Sequence, residues 1–578
     1  MCSARRRFSC PSSVSCRLRT PRVPVRTGAG TEVGVLRRTT FLVASLALAA
    51  AFALYASAVA YRCDDGYIVY QYVKNALAGH GLVYAPGERV EGYTSFLWVA
   101  LLWASAAASA TGALPALGSA LGTAIAAATV LGVSLFSWSL ARERSAWGLL
   151  APALLALHSS FVAWSTSGLE TPLFAALLLA AAARHVRWLQ RGGRAWPTAL
   201  LFAALAMTRP EGLLFFAATT LHFLHAQRRT APRRLGASAF AWAAAFLVLF
   251  APWFLARWAW YGDVLPNTAH VKGGFSPALW PVGARYLIDY ARDYGVAVLL
   301  PAAWILVSPG RRPWHGYLAV LVAPYLVYVV AVGGDGLAFH RFVAHVAPLL
   351  LLLVQAGSAD LYRRLRERAP PRLRPAVAAA AIAATAAAAW TTTRQTALPL
   401  WWPERVRWLE ARSGLRFPGD GRLHDYVWYD AYFVDRLAAA ARWLDANAAP
   451  GSLVASTPAG SIAYHMRLPV LDMLGLNDRH IARSTPRYEG WLRAGHMKGD
   501  GAYVLDRAPA YILLGNVAVL PRPLSPAAMA RQLVRRSERE IWRDPRFARH
   551  YERVSVRLAA RGPFQWFTFY RRRDAGAR

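Results

Sequence analysis

Two adjacent carboxylates, Asp64 and Asp65, stand just past the first long apolar run of the chain, Phe41 to Ala60. Charge beside hydrocarbon is costly, so ionisable residues at such a depth are candidates for function; the plain alternative is that they cap the following helix and mark its interface. Neighbours on a helix do not share a face, so the two cannot serve identically: one can be a general base and the other its orienter or a metal ligand. Further polar groups lie in the loops between later apolar runs: Glu91 and Tyr93, Glu170, Arg209 with Glu211, Asp263 and Asn267, Asp335, and His340 with Arg341. Fixed cations in a partly dry site stabilise negative charge, and Arg209, His270, Lys272, His340 and Arg341 are the cations placed to do so. Lys272 stands out because only Lys74 and Lys498 share its type in an arginine-dominated chain. Each also has a plainer reading. Arg209 can pair with Glu170 or Glu211, His340 and Arg341 can anchor a helix end, and Asp263 and Asn267 flank Pro266 as turn formers. Tyr93, Trp98, Trp258 and Trp260 read as an interfacial aromatic belt. Asp472 and Asp478 could bind sugar or a cation, or cap a turn.

The elements that must position these groups are mostly apolar. The chain has 578 residues, 56% of them hydrophobic, which is too long and too apolar for one soluble domain. Its formal charge of +35 would suggest nucleic acid in a soluble protein. Here the arginines sit between apolar runs, the positive-inside pattern of cytoplasmic loops, so the bilayer is the expected partner and nucleic acid is not. Placing Arg184 to Arg194, Arg228 to Arg234, Arg311 to Arg312 and Arg363 to Arg374 inside leaves the polar motifs outside. The run Phe41 to Ala60 follows Arg37 and Arg38 and has spanning length, so it reads as an anchor, although Ala56-Ser57-Ala58 would suit cleavage. Segment 94–140 must cross once yet holds enough apolar sequence for two helices; one crossing plus a re-entrant or interfacial helix gives about 11 crossings in all. Residues 1–38 read as a disordered basic cytoplasmic tail, 39–395 as the transmembrane domain with a first external loop at 61–93, and 400–578 as an extracytoplasmic domain. The last has strands predicted at 452–456, 468–474, 511–514 and 564–570 and helices near 431–447 and 460–466, a small α/β fold. Cys2, Cys10 and Cys16 fall in the tail and only Cys63 beyond it, so there is no disulfide framework and no zinc spacing.

The motifs, in order, resemble the GT-C superfamily, which transfers sugars from polyprenyl-phosphate carriers, and most of all the mycobacterial terminal β-(1→2)-arabinofuranosyltransferase family. The likeness is carried by Asp64-Asp65-Gly66-Tyr67, the run from His80-Gly81 to Glu91-Gly92-Tyr93-Thr94, Ser167-Gly168-Leu169-Glu170-Thr171, Thr208-Arg209-Pro210-Glu211-Gly212, Tyr261-Gly262-Asp263 with Pro266-Asn267-Thr268, Gly333-Gly334-Asp335, and Leu471-Asp472 with Gly475-Leu476-Asn477-Asp478. It covers most of residues 40–485; Phe96 and Gly336 depart from the pattern. It implies a polyprenyl-phosphate sugar donor, a cell-envelope polysaccharide or glycolipid acceptor, inversion at the anomeric carbon, and an active site on the outer face of a bacterial inner membrane. In that reaction a carboxylate, Asp64 by preference and Asp65 otherwise, takes the acceptor proton, and the cations named above meet the leaving phosphate. Glu91, Tyr93, Glu170, Glu211, Asp263, Asn267 and Asp335 would bind substrate. No cofactor is called for, a divalent cation is left open, and the metal ligands are unknown.

Other chemistry has no support. The chain has no Walker loop, no His-Glu-x-x-His helix and no Gly-x-Ser-x-Gly elbow. A transporter or flippase of a lipid-linked glycan is the main competitor, but it predicts inverted repeats and midplane charge. A non-catalytic scaffold is disfavoured by the intact aspartate pair.

Overall fold

The computed structural model describes residues 36–109, 113–272, 276–393, 423–486, 495–559 and 565–575. The basic tail up to residue 35, with Cys2, Cys10 and Cys16, and the expected start of the soluble domain at 400 lie outside the described residues.

The chain opens with α1 (Arg38–Val59), the short α2 (Asp64–Leu77), α3 (Phe96–Ser109) and α4 (Leu114–Phe136), the last prolonged by a π turn to Ala141. There follow α5 (Leu150–Leu157), α6 (Ser159–Thr166), α7 (Thr171–Arg191), α8 (Trp196–Thr208), α9 (Gly212–Thr230) and α10 (Leu235–Tyr261). The helical part closes with α11 (Asn267–Val271), α12 (Trp280–Tyr294), α13 (Val296–Val307), α14 (Pro313–Ala331), α15 (Arg341–Arg368) and α16 (Arg374–Thr393). Arginines end α7, α9 and α15, where cations suit both the helix dipole and the headgroups. Among the described residues seven helices are long and apolar enough to cross a membrane, or nine if the bent pairs α5–α6 and α12–α13 each count as one span. The chain is a multi-pass membrane protein, and the expected 11 crossings exceed this count. One reason is length: α3 has 14 residues, about 21 Å at 1.5 Å per residue, against a hydrocarbon core of about 30 Å. α15 is the central strut, with 83% of its apolar window buried by protein.

Segment 94–140 thus holds one spanning helix and one short one. Both begin against the same loop: the Trp98 indole donates to the Gly168 carbonyl at 2.9 Å, and a Cβ on Gly122 would lie 2.2 Å from the Ser165 carbonyl oxygen. Gly168 itself has φ +86° and lies under the Tyr70 hydroxyl, so a side chain there is excluded twice. Trp98 and Tyr93 are core residues, 0% and 4% exposed, not members of an interfacial belt. Trp258, 47% exposed, does face outward.

The C-terminal region is a small α/β domain. A long helix, Leu423–Asn447, precedes a six-stranded sheet in the order β2-β1-β3-β6-β4, with β5 also on β6. The strands are β1 (Val454–Ser456), β2 (Val470–Asp472), β3 (Tyr511–Leu513), β4 (Ala518–Leu520), β5 (Tyr551–Arg557) and β6 (Trp566–Arg572). β1 pairs in parallel with both β2 and β3, and β6 runs antiparallel to its neighbours. Because the chain leaves β1 for β2 on one side and returns to β3 on the other, the carboxyl ends of these strands form a crevice of the kind that holds ligands in open α/β sheets.

Candidate active site

That crevice faces the helical region and closes over a cavity of about 450 Å³. Its soluble-domain wall is built by the loops after the parallel strands: Thr457 to Ala459 after β1, Leu474 and Leu476 after β2, Asn516 after β3. The opposite wall carries Asp64, Asp65, Tyr93, Glu170, Arg209, Glu211, Lys272, Asp335 and Arg341. Residues spread over 277 positions, from Asp64 to Arg341, therefore meet in one place.

Asp64 and Asp65 form the first turn of α2. Asp64 accepts from the backbone N–H of Ser461 at 2.7 Å and of Gly460 at 3.2 Å. A Cβ on Gly460 would lie 1.9 Å from the Asp64 carbonyl oxygen, so the two backbones meet only because this residue is glycine. Both the capping reading and the functional one thus have substance, since the carboxylate is held by amides and also lines the cavity. Removal from water raises its pKa to about 7; the two amides pull it down and the Asp65 charge pushes it up. A carboxylate that ionises near neutrality is suited to proton abstraction.

Across the cavity Arg209 is held between Glu170 and Glu211, with its Nη2 2.7 Å from Glu211 Oε1. Tyr328 adds a hydroxyl donor to the same Glu211 oxygen at 3.1 Å. Arg341 pairs with Asp335 at 2.6 Å and packs over the Trp164 and Phe342 rings. Lys272 makes no ion pair among the described residues. Burial, then Arg209 and Arg341, lower its pKa, so its charge is strained and an anion would relieve it.

Other predicted site residues lie off the cavity. His270 pairs with Asp263 at 3.1 Å, and Asp263 also takes Arg483 at 2.7 Å. His340 pairs with buried Asp293 at 2.9 Å in a cluster of tyrosine rings. Glu91 forms a buried pair with Arg257 of α10 at 2.6 Å. Asn267 is a clasp: its Nδ2 donates to the carbonyls of Gly475 at 2.8 Å and Leu476 at 3.0 Å, tying the outer loops to the soluble domain. Asp472 accepts from the backbone of Leu474, Gly475 and Asn477, the turn-capping role. Asp478 caps the short helix Arg479–Arg483 through Ile481 N–H at 2.8 Å.

Sequence reasoning missed Arg257, whose charge inside an apolar helix was signal enough. It also missed Asp430, Thr457 and Arg535, which line the cavity from the soluble domain. Among the described residues no cluster of three or more His, Cys, Asp or Glu could hold a metal ion, so the divalent cation gains no ligand set.

The fold and site define a multi-pass membrane protein with an acid-rich cavity under a soluble cap. Comparison with known proteins adds relatives. The terminal β-(1→2)-arabinofuranosyltransferase of Corynebacterium glutamicum is 32% identical over 323 residues, 47% of this chain and 44% of that one. Its namesake from Mycobacterium tuberculosis is 31% identical over 285 residues, 45% and 43% of the two chains. The chain therefore spans less than half the length of these curated relatives, and it resembles them as the motifs indicated. Residues 426–570 match a family described as a domain of unknown function, DUF8728. Among solved structures, ArnT from Cupriavidus metallidurans bound to undecaprenyl phosphate aligns with a TM-score of 0.48 at 11% identity, over 75% of this chain and 86% of that one. The mycobacterial arabinofuranosyltransferase AftD aligns with a TM-score of 0.42 at 13% identity, over 95% and 40%.

Proposed function

We propose that this protein is an inverting glycosyltransferase of GT-C type that moves a sugar from a polyprenyl-phosphate donor to a cell-envelope glycan on the outer face of a bacterial inner membrane. The observation that carries it is the single cavity in which a carboxylate ionising near pH 7 faces a cation with no ion pair among the described residues, Asp64 and Lys272. The relatives' names make arabinofuranose the first sugar to test.

In this reading the isoprenoid lies in the bilayer and its phosphate meets Lys272, with Arg341 beside it and Arg209 completing the positive wall. The acceptor hydroxyl comes from the aqueous side under the soluble domain. Asp64 takes its proton as the oxygen attacks the anomeric carbon, the bond to the phosphate oxygen breaks, and the configuration inverts in one displacement. Backbone amides of Gly460 and Ser461 orient the base, and Lys272 gains most from the charge that develops on the leaving phosphate. Glu170 and Glu211 hold Arg209 in place, and Tyr93 and Asp335 face the sugar.

Purified protein supplied with a panel of polyprenyl-phosphate sugars, arabinofuranose among them, tests the reading. Transfer from one donor, lost on Asp64→Asn, is expected; a full panel with no turnover and no donor binding sinks it.

A further inference from the structure

A second concavity, about 1080 Å³ in volume, lies apart from the cavity just described. Three parts of the chain build it: the loop 87–90, the end of α10 at 259–262, and the soluble domain at 478–484 and 500–507. A thin wall separates it from the candidate active site, since Val90 and Asp478 line the cleft while Gly92 and Leu476, two residues away on the same segments, line the cavity. Asn267 and Tyr72 pin that wall, the latter through its hydroxyl to the Val90 carbonyl at 2.7 Å and to Asn477 Oδ1 at 3.1 Å.

The charges in the cleft are unevenly satisfied. Its carboxylates are all engaged: Glu88 lies 3.5 Å from Arg507, Asp500 2.9 Å from His480, and Asp478 accepts from the Tyr503 hydroxyl at 3.0 Å. Arg483 is taken by Asp263. Arg89 and Arg479 meet no carboxylate among the described residues. The Arg89 guanidinium lies on the Trp260 ring, 4.2 Å from its centroid. Arg479 donates to the backbone carbonyls of Arg89 at 3.1 Å and Tyr261 at 2.8 Å, which sets its guanidinium against the backbone of Arg89. The flat groups present are Trp260, the buried Tyr261 and the stacked His480–Tyr503 pair, centroids 4.0 Å apart. Val90 and Ala259 are the aliphatic side chains of the lining, and the rest of its apolar surface is aromatic.

Planar guanidinia match oxyanions, aromatic faces attract the weakly positive C–H edges of a sugar ring, and the volume lies at or above the roughly 300–1,000 Å³ of sites for single small ligands. We propose that this cleft binds an oligosaccharide bearing carboxylate or phosphate groups, held by Arg89 and Arg479 and flanked by Trp260 and Tyr503. Resting on the transferase reading, it makes the cleft a holding site for an acidic stretch of the acceptor glycan, one wall away from the reacting hydroxyl.

The test is binding, measured without donor on the full chain in nanodiscs of neutral lipid, with hexagalacturonate and neutral maltohexaose as probes. Hexagalacturonate is expected to bind and maltohexaose to bind at least about tenfold more weakly, because a neutral glycan offers the two guanidinia no charge-assisted contact. The R89Q/R479Q pair should lose about tenfold or more in affinity for the charged probe. Arg89→Gln alone, which disturbs a ring contact and no backbone bond, should lose at least about threefold and keeps the test open if the pair unfolds. Equal binding of both probes, or unchanged binding by R89Q, overturns the proposal. So does displacement of hexagalacturonate by nanodiscs containing phosphatidylglycerol, which would assign the cleft to a lipid headgroup. Asp64→Asn should bind the probe like wild type, so failure of the transferase reading leaves this result standing, and failure here leaves transfer untouched.

Discussion

Replacing Asp64 by asparagine separates the chemistry of the site from its architecture. The amide keeps one oxygen for the Ser461 N–H, bonded at 2.7 Å, but turns a donor toward the Gly460 N–H, bonded at 3.2 Å. Losing that longer bond should cost about 1–2 kcal/mol, the lower range for a bond to a charged group, and lower the melting temperature of the purified protein modestly. Losing the base should cost far more, about 10²- to 10⁴-fold in kcat, or about 2.7–5.5 kcal/mol of barrier. The pH profile carries the finer test. Asp64 ionises near 7 and acts as its anion, so wild-type kcat/KM should fall about tenfold per pH unit below 7 and level off above it. The residual rate of the variant should be flat over the same interval. Single-turnover transfer from the accepted donor, measured from pH 5.5 to 8.5, reads both quantities. A variant rate within about threefold of wild type would refute the assignment. A collapse confined to Asp65→Asn would do so as well, leaving Asp64 as a clamp only.

Lys272→Met should lower kcat about 10²-fold or more with little change in melting temperature, because the lysine makes no ion pair among the described residues and acts on the leaving group; a change in KM alone counts against it. Arg209→Met strands Glu170 and Glu211 in a buried site, so a loss of about 3–5 kcal/mol is expected as poor recovery of folded protein, and a well-folded variant would contradict the buried triad. Gly460→Ala drives a methyl into the backbone of Asp64, so transfer should fall with Asp64 intact; wild-type activity would show that the contact is not required.

Legibility followed the cost of polar atoms. Asp64, Glu170, Arg209, Asp335 and Arg341 stood out as charges at the ends of apolar runs and Lys272 as one of three lysines, and all six line one cavity. His270, His340 and Glu91 stood out too, yet each lies off the cavity against a carboxylate or arginine partner, and for His340 and Glu91 that partner sits on a distant segment that leaves no local trace. The count of about 11 crossings differs from the seven to nine helices of spanning length among the described residues because apolar content does not reveal length or bend: α3 is short, and α12 meets α13 at 103°. In the soluble domain β1, β2 and β3 lay within the predicted strands and β6 overlapped its own but ran on to Arg572, whereas β4 was not predicted and β5 carries Glu552, Arg553 and Arg557, charges that suit its place on β6 alone.

The Asp64 carboxylate and the Ser461 amide that steadies it are 397 residues apart in the chain. A ribosome adding about 5–20 residues per second needs tens of seconds to make the second after the first. Throughout that interval the helical part can sit in the bilayer with an Asp64 that nothing orients. On the proposed reading competence arrives last, once the cap has folded, so that a half-made chain would not spend a costly activated sugar on water.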